Sequence, residues 1–126
     1  MKKVISTKNA PQAIGPYSQA IEINGMLFIS GMLPIDPATG NFVPGGIKEQ
    51  TAQIFINIKA VLSAAGMNID QIVKTTVLLE DMSYFNDMNK VYEIQFKDSF
   101  PARSAFAVKS LPKNSLVEIE VIAVKS

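Results

Sequence analysis

The sequence predicts an α+β domain, with one sheet of five or six strands and two helices on a single face of that sheet. Six short apolar segments end at turn residues and are typical of strands. Two segments have the apolar spacing of amphipathic helices, too few to cover both faces of such a sheet. With 126 residues, 48% of them hydrophobic, the chain suits one core and a single domain over residues 1–126.

The composition excludes several classes of function. The chain has no histidine, cysteine or tryptophan, which excludes imidazole bases, thiol nucleophiles and ordinary zinc or iron-sulfur sites. Twelve basic and eleven acidic residues give a net charge of +1, so we expect no nucleic-acid partner. The basic N-terminus lacks the apolar core of a signal peptide and no segment approaches membrane-spanning length, so we expect no membrane association and a cytoplasmic location.

The N-terminal part predicts a strand, a loop and a hairpin. Residues 3–6 are a short strand candidate, and residues 9–17 contain too many prolines and glycines to be regular. Residues 21–29 predict a hairpin around Asn24 and Gly25, because a two-residue type I′ turn requires positive φ at both central positions.

The second strand of this hairpin ends in Ser30 and Gly31. A residue without a side chain would let another group approach the backbone closely, although a bulge at the strand end explains the pair equally well. Residues 34–46 are rich in proline, glycine, aspartate and threonine and predict a long surface excursion.

The middle of the chain predicts two helices flanking a central strand. Residues 47–65 form the most regular helical pattern, and Gly66 provides its stop. Residues 72–79 are β-branched and apolar on both faces, which is typical of a central strand. We expect Ser83 to cap the second helix. Its core side would hold Phe85, Met88, Tyr92 and Phe96.

Residues 100–108 bring a fixed positive charge into an apolar strand. Alternation places Arg103, Ala105 and Ala107 on one side of it. An arginine beside small residues has room for a ligand, and its planar fork suits a carboxylate or phosphate. Alternatively, Arg103 reaches water or pairs with an acid for purely structural reasons.

The last strand, residues 116–124, carries Glu118 and Glu120 on one face. If the strand is central, at least one carboxyl is partly desolvated, which raises its pKa unless a cation such as Arg103 lies nearby. Alternatively, both carboxylates lie at an exposed margin and pair with lysines.

The sheet face without helices is also apolar, and the chain contains no third layer to cover it. Another copy of the same chain is the cover that this pattern favours. We therefore expect a homo-oligomer, and this pattern leaves its stoichiometry open.

Several segments together resemble the RidA family, the YjgF-like reactive-intermediate imine deaminases. The resemblance covers essentially the whole chain, and the PARS and EIE segments are its most specific parts. The segments that carry it are 14–20 (IGPYSQA), 29–31 (ISG) followed by Pro34, 72–77 (IVKTTV), 89–92 (NKVY), 100–104 (FPARS), 111–113 (LPK) and 117–123 (VEIEVIA).

This resemblance implies a chorismate-mutase-like fold and a homotrimer with sites between neighbouring subunits. It implies hydrolysis of 2-iminopropanoate and 2-iminobutanoate, which arise from 2-aminoacrylate and related enamines released by pyridoxal-phosphate dehydratases. The products are 2-keto acids and ammonia, the role is detoxification, and neither a cofactor nor a metal is implied.

The resemblance also implies roles for individual residues. Arg103 would bind the substrate carboxylate and Glu118 would position the attacking water. Ala105 stands where the active subfamily usually has cysteine, and little is lost if this position acts through its backbone. The other residues expected to line the pocket are Tyr17, Ser30, Gly31 and Asn89.

Two other functions compete with deamination. The first is a non-catalytic module that binds small carboxylates; retention of both Arg103 and Glu118 argues against it, because binding alone requires only the arginine. The second is endoribonuclease activity, which the near-zero net charge and the absence of histidine disfavour.

Overall fold

The computed structural model describes residues 1–126 and contains eight strands and two helices. The strands are Lys3–Ile5 (β1), Ala20–Ile23 (β2), Met26–Met32 (β3), Ile35–Asp36 (β4), Asn41–Phe42 (β5), Ile72–Leu79 (β6), Ala102–Ala107 (β7) and Val117–Val124 (β8), and the helices are Ile47–Ala64 (α1) and Phe85–Glu93 (α2). Neither helix has the length and apolar composition needed to cross a bilayer.

Six of the strands form one mixed sheet in the order β1-β2-β3-β8-β6-β7. Neighbouring strands are antiparallel except for β6 and β7, which run parallel. β8 and β6 lie in the interior of the sheet, as the sequence predicts for residues 72–79, whereas β7 lies at an edge. Within the predicted surface excursion, β4 and β5 form a separate two-stranded ribbon. The predicted α+β architecture is confirmed.

Local signals in the sequence account for the hairpin and for the long helix. Asn24 and Gly25 have φ values of 50° and 77°, so both adopt the positive φ that the predicted hairpin turn needs. At the start of α1, the Glu49 carboxylate accepts a hydrogen bond of 2.8 Å from the Gly46 amide. Gly66 follows the helix with a φ of 73° and ends it as predicted.

The core lies between the two helices and one face of the sheet. Fully buried side chains of α1, such as Phe55 and Ile58, pack with Met88 of α2. They meet alternate residues of the central strands, such as Val77 of β6 and Ile119 of β8. Because both helices cover the same face, the other face of the sheet is left without a layer from this chain.

The prediction that Ser83 caps the second helix is wrong. A short 3₁₀ segment, Met82–Tyr84, precedes α2, and the Asp81 carboxylate accepts a hydrogen bond of 2.8 Å from the Ser83 amide. Aspartate two residues before an amide makes this contact easily, so the cap lies earlier than Ser83. The predicted core side is right: Met88, Tyr92 and Phe96 are buried in the core, and Phe85 packs against it partly buried.

The uncovered face carries exposed apolar side chains on β3 and β7, and polar side chains on β6 between them. Phe28 on β3 and Phe106 on β7 are 40% and 48% exposed there. Between them, the Lys74 ammonium on β6 donates a hydrogen bond of 3.1 Å to the Ser104 hydroxyl. Large apolar side chains spread over one open sheet face are a feature of surfaces that bind another protein.

Candidate functional site

Arg103 projects from the edge strand β7 toward α2 on the helix-covered side of the sheet. Its Nη1 donates a hydrogen bond of 2.6 Å to Oδ1 of Asn89. Its guanidinium carbon lies 4.8 Å from the ring centroid of Tyr92 and 5.3 Å from that of Phe85. Phe85, Asn89 and Tyr92 share one face of α2 through their spacing of four and three residues. One helix face therefore holds the guanidinium.

The charge of Arg103 has no counter-ion within the chain. Neither of the two ion pairs, Lys90 with Asp87 and Lys125 with Glu22, involves it. A guanidinium has five N–H donors, and Asn89 accepts from only one nitrogen. The remaining donors lie beside a cleft of about 440 Å³. The cleft is lined by Asn89, Tyr92, Glu93, Phe100, Pro101 and Arg103, which we call the arginine half-site.

Glu118 lies on the opposite, uncovered face of the sheet. It pairs with Leu78 in the register of β8 and β6, while its neighbours Val117 and Ile119 point into the core. Gly31 of β3 lies directly against it: a Cβ built on Gly31 would be 2.8 Å from the carboxyl carbon of Glu118. The close approach proposed for Gly31 therefore exists, and the group that approaches is the carboxylate of Glu118.

The alternative explanation for Ser30 and Gly31, a bulge, also holds. The pairing of β3 with β8 changes register between Ile29 and Met32. The Ser30 hydroxyl donates a hydrogen bond of 2.6 Å to the Ser18 carbonyl oxygen, which ties the bulge to the preceding loop. The bulge thus re-aims the backbone beside the glutamate.

Tyr17 lies in that loop and is 53% exposed. It lines a small pocket of about 50 Å³ together with Ser30 and Gly31. Buried Gln19 holds the loop in place, because its amide accepts a hydrogen bond from the Thr7 amide and donates others to carbonyl oxygens of the same loop. Sequence reasoning missed this role of Gln19, since no local pattern marks it. We call Tyr17, Ser30, Gly31 and Glu118 the glutamate half-site.

Burial raises the pKa of Glu118 above its ordinary value, and repulsion from Glu120 raises it further. The cation that could have opposed this effect, Arg103, lies on the other face of the sheet. The alternative of an exposed margin with lysine partners is right only in that Glu120 is exposed. β8 is an interior strand, Glu118 is partly buried, and neither glutamate forms an ion pair.

The predicted site residues thus fall into two groups on opposite faces of one sheet. Arg103 pairs with Thr75, whose side chain contacts α2, and Asn89 lies beside it. Ala105 shares that side of β7, pairs with Val77 and packs against the core. The glutamate half-site lies on the uncovered face. Arg103 and Glu118 of the same chain therefore cannot contact one ligand.

Gly31→Ala should damage the glutamate half-site, because the new methyl group would displace the Glu118 carboxylate or shift the bulge. Gly46→Ala is the matched control, since Gly46 is the only other glycine without positive φ and its surroundings are open. Thermal unfolding and crystallography of both variants test this expectation. An unmoved carboxylate in Gly31→Ala would contradict it.

The raised pKa of Glu118 predicts a specific dependence of stability on pH. Above the ordinary value of 4.5 the folded state retains a proton that the unfolded state loses, so stability falls as pH rises through the raised pKa. Glu118→Gln removes this penalty and should raise Tm relative to the parent at about pH 8 but not at about pH 4. Glu80→Gln controls for replacing an exposed glutamate. An equal difference in Tm at both pH values would contradict the expectation.

No group of three or more acidic side chains is placed to hold a metal ion. The fold and the two half-sites define a small α+β protein. It presents an arginine without a counter-ion on one sheet face and a partly buried glutamate on the other. The family model described as Endoribonuclease L-PSP matches residues 7–125.

Similar sequences and solved structures point to the same family. A mouse protein named 2-iminobutanoate/2-iminopropanoate deaminase is 49% identical over 125 residues, covering 99% of this chain and 93% of its own. The structure of a Yersinia pestis protein described as belonging to the conserved Rid protein family superposes with a TM-score of 0.96 at 52% identity, covering 99% of this chain and all of its own. The structure of the E. coli protein TdcF, solved with bound serine, superposes with a TM-score of 0.94 at 40% identity, covering 98% of this chain and 99% of its own. The chain belongs to the RidA family.

Proposed function

We propose that this protein hydrolyses reactive 2-imino acids, 2-iminopropanoate and 2-iminobutanoate, to 2-keto acids and ammonia. One observation carries the proposal: the guanidinium of Arg103 is held by Asn89 and α2 with no counter-ion, beside an open cleft. Such a group selects small anions with a planar carboxylate. The name of the mouse relative and the serine bound to TdcF support a ligand of this class.

The reaction requires little from the protein, because an imine carbon is already electrophilic. Arg103 binds the substrate carboxylate, and Glu118 holds a water molecule against the imine carbon. Glu118 takes a proton from the water as its oxygen bonds to the imine carbon and passes it to nitrogen, which gives a carbinolamine. Glu118 then takes the hydroxyl proton and passes it to the amine nitrogen, the carbon-nitrogen bond breaks with its electron pair on nitrogen, ammonia leaves and the carbonyl forms. A carboxyl group with a raised pKa suits this exchange near neutral pH. No electrons are transferred, and the proposal includes no cofactor.

The placement of the two half-sites supports a site built between copies of the chain. Arg103 and Glu118 lie on opposite faces, so a ligand that contacts both must lie between one protomer and its neighbour. The uncovered apolar face, with Phe28 and Phe106 exposed, offers the surface through which copies associate. We propose a homotrimer in which each site combines the arginine half-site of one copy with the glutamate half-site of the next.

The test generates 2-aminoacrylate with a serine dehydratase and traps the imine with semicarbazide. Sub-stoichiometric amounts of this protein should abolish the trapped signal, whereas Arg103→Ala should not. Suppression only at stoichiometric amounts would instead support the alternative of a non-catalytic carboxylate binder. No suppression at any amount would refute both.

The description of the matching family model favours a second candidate, endoribonuclease activity. The charge distribution opposes it, because the net charge is +1 and Arg103, the only arginine, lies in a cleft and not on an exposed basic stripe. Filter binding to RNA at low salt distinguishes the two functions. Retention of RNA that weakens steeply with added salt would favour the ribonuclease.

A further inference from the structure

Tyr92 connects Arg103 to the interior of the protein. Its hydroxyl lies 2.7 Å from the Thr75 hydroxyl, and both residues are buried, with exposures of 3% and 0%. Thr75 is the direct pairing partner of Arg103 in the parallel strands β6 and β7. The backbone pairing, the bond between hydroxyls and the stacking of the guanidinium on the Tyr92 ring therefore form a closed ring of contacts.

Other aromatic side chains fix the Tyr92 ring itself. Its centroid lies 5.6 Å from that of Phe55, edge to face, and 5.1 Å from that of Phe96. Phe96 in turn lies 6.1 Å from Phe100 at the cleft wall. Aromatic pairs at these separations attract one another and leave little freedom to tilt. The guanidinium thus rests on a ring whose tilt is restricted by aromatic neighbours.

We propose that Tyr92 is a positioning residue for Arg103: its ring, locked by the hydroxyl bond to Thr75, orients the guanidinium so that the free N–H donors face the cleft. The inference rests on the proposed function only in taking the ligand to be a carboxylate. Burial raises the pKa of the Tyr92 hydroxyl, so the bond to Thr75 persists through neutral and mildly alkaline pH.

The physical reason is preorganisation. An arginine side chain is long and flexible, and binding an anion through two N–H groups requires its fork to be held in one orientation. A cation that already rests on the faces of Tyr92 and Phe85 gives up little freedom when the ligand arrives. Phenylalanine at position 92 would retain the stacking surface but would leave the Thr75 hydroxyl unpaired in the core.

Arg103 is the only arginine in the chain, so its Nε–H gives a unique NMR signal in protein labelled with ¹⁵N-arginine. Tyr92→Phe and Thr75→Val each break the same hydrogen bond. Each should lower the Nε order parameter and weaken binding of 2-ketobutyrate by about threefold to tenfold, whereas Tyr92→Leu should weaken it by about tenfold to a hundredfold. Tyr84→Phe is the matched control and should change neither quantity.

The inference is overturned if Tyr92→Phe and Thr75→Val lower Tm while leaving both the order parameter and the affinity at parental values, because the hydroxyl pair would then serve stability alone. If Tyr92→Leu does not fold, Tyr92→Phe and Thr75→Val still test whether Tyr92 positions Arg103. A parent protein that does not bind 2-ketobutyrate would refute the proposed ligand, and the order parameters would still test the positioning.

Discussion

Replacing Arg103 with alanine is expected to lower kcat/KM for 2-iminobutanoate by about 10² to 10⁴. The side chain would form two charge-assisted hydrogen bonds to the substrate carboxylate, each contributing roughly 1.5 to 3 kcal/mol. No other cation lines the cleft, so no neighbour can replace it.

Arg103→Lys should recover little of this loss, because an ammonium is a point charge and cannot form two parallel hydrogen bonds. Lysine would also lose the stacking of a planar group on Tyr92 and Phe85. Steady-state kinetics and calorimetry with 2-ketobutyrate measure both variants. If Arg103→Ala binds 2-ketobutyrate with parental affinity, Arg103 is not the carboxylate-binding residue.

Glu118→Gln is expected to lower kcat by about 10² to 10⁴ while preserving the fold and much of the ligand binding, since the amide cannot accept the proton of the attacking water. Glu120→Gln, on the same face of β8, is the matched control and should have a far smaller effect. Turnover of imines by Glu118→Gln at the parental rate would exclude Glu118 from the chemistry.

The two effects of Glu118→Gln have opposite signs, which helps to separate function from stability. The substitution should raise Tm near neutral pH, because the raised pKa marks a carboxylate that is costly to ionise in the folded state. A variant that is more stable and less active indicates a group kept for its chemistry. A variant that loses both would indicate a structural role instead.

The elements that could be predicted from the sequence are those with local causes. The hairpin turn alone requires positive φ at its two central residues, which Asn24 and Gly25 supply. Gly66 ends α1 because it also adopts a positive φ. Both Asp81 and Ser83 suit capping, and the choice between them depends on the 3₁₀ segment Met82–Tyr84, which Asp81 caps and which contains Ser83. Competition between neighbouring caps is decided by geometry that a pattern does not contain.

The arrangement of the site could be predicted only in part. Alternation along a strand assigns residues to two sides but not to the side that the helices cover. The sequence therefore marks Arg103 and Glu118 as candidates individually, whereas their placement on opposite faces depends on the pairing of β6 with both β7 and β8. The close approach at Gly31 has a local signal in the missing side chain, but nothing local identifies Glu118 as the group that approaches. The contact of Tyr92 with Thr75 joins residues far apart in sequence and has no local signal.

A mixing experiment tests most directly whether each site combines residues of two copies. Arg103→Ala and Glu118→Gln, each inactive alone, are unfolded together, refolded at equal concentration and assayed for imine hydrolysis. If Arg103 of one copy works with Glu118 of the next, random association restores both groups at about one quarter of the sites, and about one quarter of parental activity should return. Activity no higher than that of the separate variants, in a mixture shown to contain mixed oligomers, would contradict a shared site.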